Sequence, residues 1–413
     1  MDTADRATTP LATPTPLDRR SPAPDVARGA MLLLIAVANA PFYLWTASSG
    51  TFGAHPVEGG TADRVAQTLA LVLVDGRTYP LFAFLFGYGI VQLYRRQHAA
   101  GVPHREARRL LRRRHGWMVA FGAVHAALLW FGDVVGAYGL AGLVLTALFI
   151  DRRDRTIRVW IGVLTGLVAL FALLVGALAV LVALAGPEAA GDDGFTIPEP
   201  AAVESYLPSV PARLGVWLVI APAQGLLVLV TPIAVLVAFL AARHRVLEQP
   251  AEHLPLLRRT AVTGIAVGWG VGVVLALQNL GALGVDRSLD FGLLPLQLLS
   301  GLACGLGYAA AFGLLAARRG ARRGPVVRAL QATGRRSMTC YVAQSVVLAP
   351  LLSAWGLGLG AHLSSWSVAL VAVATWGATV ALAVALERAG RRGPAETLLR
   401  RLAYPRPAVV DVR

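Results

Sequence analysis

The chain has 413 residues, 56% of them hydrophobic and only 15% charged, with a mean hydropathy of +0.61. Soluble domains carry roughly 25% charged residues, so a soluble globular class is excluded. The net charge of +15 comes entirely from arginine, and the arginines lie between long apolar runs, which sets aside nucleic acid as a partner.

Residues 1–24 are rich in Pro and Thr and predict a disordered cytoplasmic tail. Ten apolar segments follow, at 27–45, 77–94, 115–131, 134–150, 157–186, 214–242, 261–280, 291–317, 337–354 and 366–386. A bilayer-spanning helix needs about 20 mostly apolar residues. In the first segment Ala38-Asn39-Ala40 resembles a signal-peptidase site, but the apolar run continues to Trp45, so it reads as an uncleaved span. Residues 63–74 predict an interfacial or outer helix, broken from the second span at Asp75-Gly76. The third and fourth spans predict a tight hairpin around Phe131-Gly132-Asp133. The fifth, sixth and eighth segments exceed the bilayer requirement and predict tilted or protruding helices. Residues 25–386 thus form one polytopic membrane domain, and 387–413 an Arg-rich cytoplasmic tail.

Of the 38 arginines, 34 fall on alternate connections. The other connections hold Arg64, Arg77, Arg213 and Arg287, and the acid-rich loop 187–212. Positive charge stays on the cytoplasmic side, so both termini are expected there. The predicted fold class is an all-α integral membrane bundle of about ten transmembrane helices in the lipid bilayer.

Ionisable groups inside a membrane are expensive and mark candidate function. His125 lies in the third span, between Arg114 and Trp130. At ~1.5 Å per residue it sits roughly 16 Å from Arg114, near the midplane. A neutral imidazole there can serve as a general base, or simply bond a carbonyl of a neighbouring helix. Continued helix would place Asp133 at the rim, away from His125 unless that end is unwound, with a helix N-cap as its other role. Tyr138 lies closer in depth to His125. Asp75 and Arg77, at the outer entrance of the second span, could pair locally or bind an outward-facing anion. Asp25 and Arg28 stand three residues apart at the start of the first span. The arginines of 105–114 set topology and contact anionic lipid, or bind the phosphates of a nucleotide-like donor. Cys304 and Cys340 lie in apolar segments and predict neither a disulfide framework nor a metal site. The sequence carries no metal or cofactor motif.

Five ordered blocks carry a family resemblance. They are Asp25-Val-Ala-Arg28-Gly29 with its apolar run to Asn39; Leu81-Phe82-Ala-Phe-Leu85-Phe86-Gly87-Tyr-Gly89; and His125 with Leu128-Leu129-Trp130, Gly132-Asp133 and Tyr138. The fourth is Gly334-Arg335 with Met338-Thr339-Cys340-Tyr341 and Gln344-Ser345. The fifth is Gly393-Pro394-x-Glu396 with Arg400-Arg401-Leu402-x-Tyr404. The set resembles the YeiB-like bacterial membrane proteins, which carry the domain of unknown function numbered 418. Cys340 and Thr397 depart from that family's usual asparagine and tryptophan. The family in turn looks like a branch of the transmembrane acyltransferase superfamily. That likeness implies acyl-CoA as co-substrate; the chain is expected in the bacterial cytoplasmic (inner) membrane, with no bound cofactor.

The same likeness implies roles. His125 acts as base or acyl carrier, oriented by Asp133 or Tyr138. Arg114, Arg113 and Arg28 hold the donor, and Asp75 and Arg77 face an envelope glycan or sugar acceptor. The basic residue eleven positions before the histidine, Arg114 here, belongs to that superfamily's pattern. Two other functions stay open on the residues alone: a small-solute transporter, disfavoured by the lack of an internal repeat, and a non-catalytic membrane scaffold.

Overall fold

A computed structural model describes residues 22–186, 199–319 and 324–404. Most of the expected N-terminal tail, the last residues of the C-terminal tail, and Glu188, Asp192 and Asp193 of the acidic loop lie outside the described residues. Among the described residues there are helices and one isolated bridge, Ser49 to Pro56, but no strand. Seven helical stretches are long and apolar enough to cross a membrane, and three shorter apolar helices join them. The chain is an all-helical membrane protein.

Helix α1 spans Pro22–Asn39 and α2 spans Thr61–Leu73. Helix α3 follows at Thr78–Ala99, after the expected break, where Gly76 adopts φ +75°. Few residues other than glycine tolerate that backbone. Helix α4, His104–Leu128, and α5, Val134–Phe149, form the expected hairpin. Helix α6, Asp154–Ala185, has 32 residues and would reach about 48 Å. It is almost wholly exposed, with Leu173, Leu181 and Leu184 all more than 60% accessible, as suits a lipid-facing helix.

The sixth expected span, 214–242, is not one helix. It divides into α7, Tyr206–Pro222, a π turn over Ala223–Leu227, and α8, Val230–Arg243. Pro222 supplies no N–H to the helix ladder. Leu229 then turns the chain with φ +65°, a rare backbone for leucine. Helices α9, Leu254–Asn279, and α10, Leu294–Arg319, pack closely as a hairpin.

The expected connection after α10 contains a helix of its own. Helix α11, Pro325–Arg335, is amphipathic and packs against α1. The approach is so close that a β-carbon on Gly334 would overlap the backbone oxygen of Asp25. Helices α12, Ser337–Leu352, α13, Ser365–Arg388, and α14, Pro394–Ala403, complete the chain's described part. Helix α14 lies in the expected C-terminal tail and packs on α4 and α12.

The arginine-bearing connections converge on one end of the bundle. There Arg108 pairs with Asp151 at 3.2 Å, Arg243 with Asp154 at 2.6 Å, and Arg335 with Glu387 at 2.8 Å. At the opposite end, Gln67 bonds Ser365 and Asn279, and Trp45 bonds the carbonyl of Leu352.

Candidate functional site

The site is built on the turn between α4 and α5. Helix α4 stops at Leu128, and the amides of Leu129 and Trp130 both donate to the carbonyl of His125, at 2.9 and 3.1 Å. This tightened end brings the chain back over the helix. Asp133 then caps α5, its Oδ1 accepting from the Gly136 amide at 2.7 Å. Its other oxygen, Oδ2, lies 2.7 Å from His125 Nδ1. The expectation that Asp133 sits out of reach at the rim is corrected: α4 is unwound where continued helix was assumed. Gly122 leaves the room, since a β-carbon there would overlap Asp133 Oδ1 and Gly136.

Two groups from α7 hold that end open. Arg213, buried, donates through Nε and Nη2 to the carbonyl of Ala127, at 3.1 and 2.8 Å. Tyr206 donates its hydroxyl to the carbonyl of Leu128 at 3.0 Å. The last carbonyls of a helix have no partner within it, and here side chains satisfy two of them.

Asp133 is fully buried and His125 nearly so. A neighbouring carboxylate fixes the imidazole tautomer: Nδ1–H donates to Asp133, and the lone pair is left on Nε2. That Nε2 is buried and has no hydrogen-bond partner. The Tyr341 ring stands edge-on to the imidazole, 5.2 Å away, and its hydroxyl accepts from the Val134 amide at 3.3 Å. Tyr138 does not orient His125: its hydroxyl donates to the carbonyl of Tyr79 at 2.9 Å.

Tyr341 also lines a cavity of about 260 Å³ that opens toward the arginine-bearing end. Its throat is apolar, with Phe82, Phe86, Met118 and Val135. Its mouth carries Arg28, Arg96 and Arg114 from α1, α3 and α4, then Arg335 and Arg336, and finally Arg392 just before α14 and Arg400 on it. The acidic residues of the lining are Asp25 and Glu396. Arg28 donates to the carbonyl of Leu85 at 2.9 Å and pairs with Asp25 at 3.2 Å. Glu387 holds Arg335 and Arg336 at 2.8 and 2.5 Å. Arg400 Nη1 is buried without a hydrogen-bond partner. Seven arginines against two acids give this lining a positive charge.

Of the expected donor residues, Arg114 and Arg28 line this cavity and Arg113 does not. Arg113 is exposed and donates to the carbonyl of Leu402, at the end of α14. Asp75 and Arg77 do not face outward together. Asp75 bonds His55 at 2.7 Å, both buried. Arg77 is fully buried and donates to the backbone carbonyls of Asp75 and Gly268, so its guanidinium serves packing among α3, α9 and the break.

Sequence reasoning left out Tyr341, Arg213, Arg336, Glu396 and Arg400. The fourth and fifth blocks contain Tyr341, Glu396 and Arg400, so their composition could have raised them. Arg213 is one of only four arginines on the connections poor in basic residues, which could have raised it.

Residues 241–406 match the model of a family described as "Protein of unknown function (DUF418)". Over that stretch the chain is similar to this DUF418, YeiB-like family. It is 25% identical to "Uncharacterized protein YxaH" of Bacillus subtilis (strain 168) over 364 residues, 83% of each chain. It is 34% identical to "Uncharacterized protein YeiB" of Escherichia coli (strain K12) over 118 residues, 28% of each chain. No solved structure matches it. The DUF418 match supplies the α11, α12 and α14 walls of the cavity, while α1, α3 and α4 lie outside it.

Proposed function

We propose that this protein is a multi-pass enzyme of the bacterial cytoplasmic membrane. It transfers an acyl group from a cytoplasmic acyl-CoA to a hydroxyl of an envelope glycan or sugar on the outer face. The arginine-bearing end is cytoplasmic by the positive-inside rule. The observation that carries the reading is the buried His125–Asp133 pair, with an unpartnered Nε2, beside the tyrosine that walls an arginine-mouthed cavity.

The chemistry follows from these groups. The mouth arginines hold the phosphates of the donor, and the apolar throat directs its acyl thioester toward Tyr341. His125 Nε2 removes the proton of the acceptor hydroxyl, and Asp133 stabilises the imidazolium that forms. The new oxygen nucleophile attacks the thioester carbonyl, forming a C–O bond. As the C–S bond breaks, the imidazolium returns the proton to the departing thiolate. Asp75 and Arg77 are given no part, because Asp75 is held by His55 and two nitrogens of the buried Arg77 by backbone carbonyls.

The test is calorimetric titration of the detergent-solubilised protein with acetyl-, octanoyl- and palmitoyl-CoA. One of these donors should saturate the wild type. Arg114→Ala and Arg400→Ala should each weaken it about tenfold, the size of one lost charge-assisted contact. His125→Ala should bind within about threefold of wild type, because the base does not hold the donor. Absence of saturable binding by all three donors to a folded sample would sink the reading.

A further inference from the structure

A second arginine site lies on the outside of the α4–α5 hairpin. Arg105, Arg108, Arg109 and Arg112 recur at i, i+3, i+4 and i+7, so they form one stripe on α4. All four are exposed, while Ala107, Leu110 and Leu111 between them are buried. The stripe overlooks a groove of about 830 Å³ whose far wall is the last two turns of α5. That wall presents Val144 and Leu148, 38% and 53% exposed. Among the described residues, no acidic one lines the groove.

The groove also holds two buried polar side chains. Thr146 Oγ1 is buried without a hydrogen bond, and the residue is only 5% exposed. His115 is buried behind Gly142, and neither ring nitrogen makes a hydrogen bond of ordinary geometry. A buried hydroxyl without a partner, as at Thr146, is destabilising, so a ligand that supplies one is favoured. Cations at the edge, apolar surface running along the helix, and inward hydroxyl and imidazole groups together describe an amphiphile with an anionic head.

We propose that this groove binds one anionic membrane phospholipid. Its phosphodiester sits on the Arg105–Arg112 stripe, its glycerol and ester oxygens reach Thr146 and His115, and an acyl chain lies along Val144 and Leu148. The site is separate from the donor cavity and does not depend on acyl transfer. His115 lines both spaces and forms the wall between them.

The experiment is native mass spectrometry of the full-length, delipidated protein titrated with phosphatidylglycerol or phosphatidylcholine. One phosphatidylglycerol should bind at least about tenfold more tightly than phosphatidylcholine. Arg105/Arg109/Arg112→Gln should bring the two lipids to parity; Arg108 is kept because it pairs with Asp151. Thr146→Val, nearly the same shape, should weaken phosphatidylglycerol a few-fold. The charge-matched control Arg155/Arg158/Arg258→Gln, exposed elsewhere, should leave it unchanged. Equal binding of both lipids to wild type would overturn the proposal, as would an equal loss in the control. Displacement of the lipid by acetyl-CoA or inorganic phosphate would overturn its separateness from the donor cavity.

Discussion

Asp133 does two jobs with two oxygens, capping α5 and holding the His125 ring. Asp133→Asn separates them. A carboxamide oxygen can still cap the helix, but its NH2 would face Nδ1 and move the ring proton to Nε2, abolishing the base. Acyl transfer should fall by about a hundredfold or more while thermal unfolding in detergent shifts little. Asp133→Ala should also lose the cap, at about 1 kcal/mol of stability. Equal activity of Asp133→Asn and wild type would remove Asp133 from the orienting role. His125 was legible in the sequence because it is the ionisable group in an otherwise apolar half-helix. Its contact with Asp133 was not, because the depth argument assumes α4 keeps its ladder to Trp130. The residue that releases the ladder, Arg213, lies 86 positions away from Ala127. Nothing local to the turn announces it.

At the scale of elements, α14 is tied to the start of α12 by one carboxylate. Glu396 Oε1 accepts from the amides of Met338 and Thr339 at 2.8 and 3.1 Å, and Oε2 accepts from the Thr339 hydroxyl at 2.5 Å. The first amides of a helix need such an acceptor, and a negative charge there is favoured by the helix dipole. Glu396→Ala should therefore cost about 1–3 kcal/mol. It should also raise hydrogen–deuterium exchange across residues 394–403 and weaken donor binding, since Arg400 rides on the same helix. Unchanged exchange there would mean that packing on α4, not Glu396, holds α14. The fifth sequence block contained both residues, yet a stretch of charged residues after the last span reads as a tail. Its amphipathic face becomes visible only when α4 and α12 are beside it. The division of α7 from α8 was half-legible. Pro222 is an overt helix breaker, but an unbroken apolar run outweighed it, and the turn at Leu229 leaves no mark in composition.

At the scale of the whole molecule, hydropathy and arginine placement carry most of the architecture. The long apolar runs become helices because a bilayer leaves backbone groups no partner outside the helix. The arginine-bearing connections meet at one end through Arg108–Asp151, Arg243–Asp154 and Arg335–Glu387. Sequence could place those arginines on one side but not sort them. Arg112 and Arg114 are two residues apart on α4 and face different spaces, the outer groove and the inner cavity. An α-helix turns about 100° per residue, so neighbours in a basic run diverge. That divergence is why Arg113, adjacent to Arg114, lies outside the cavity. The inner cavity, with its arginine mouth and apolar throat, and the outer groove are two separate spaces that meet only at His115.

The proposed transfer is tested by one assay in inside-out membrane vesicles, whose outer surface is the cytoplasmic face. Radiolabelled acetyl-, octanoyl- and palmitoyl-CoA are supplied outside, and label covalently attached to enclosed envelope glycans or sugars is counted. Vesicles carrying the wild-type protein should accumulate label with one of the donors, and vesicles carrying equal amounts of folded His125→Ala should not. Equal incorporation by the two, or none above protein-free vesicles, would contradict acyl transfer through the His125–Asp133 site.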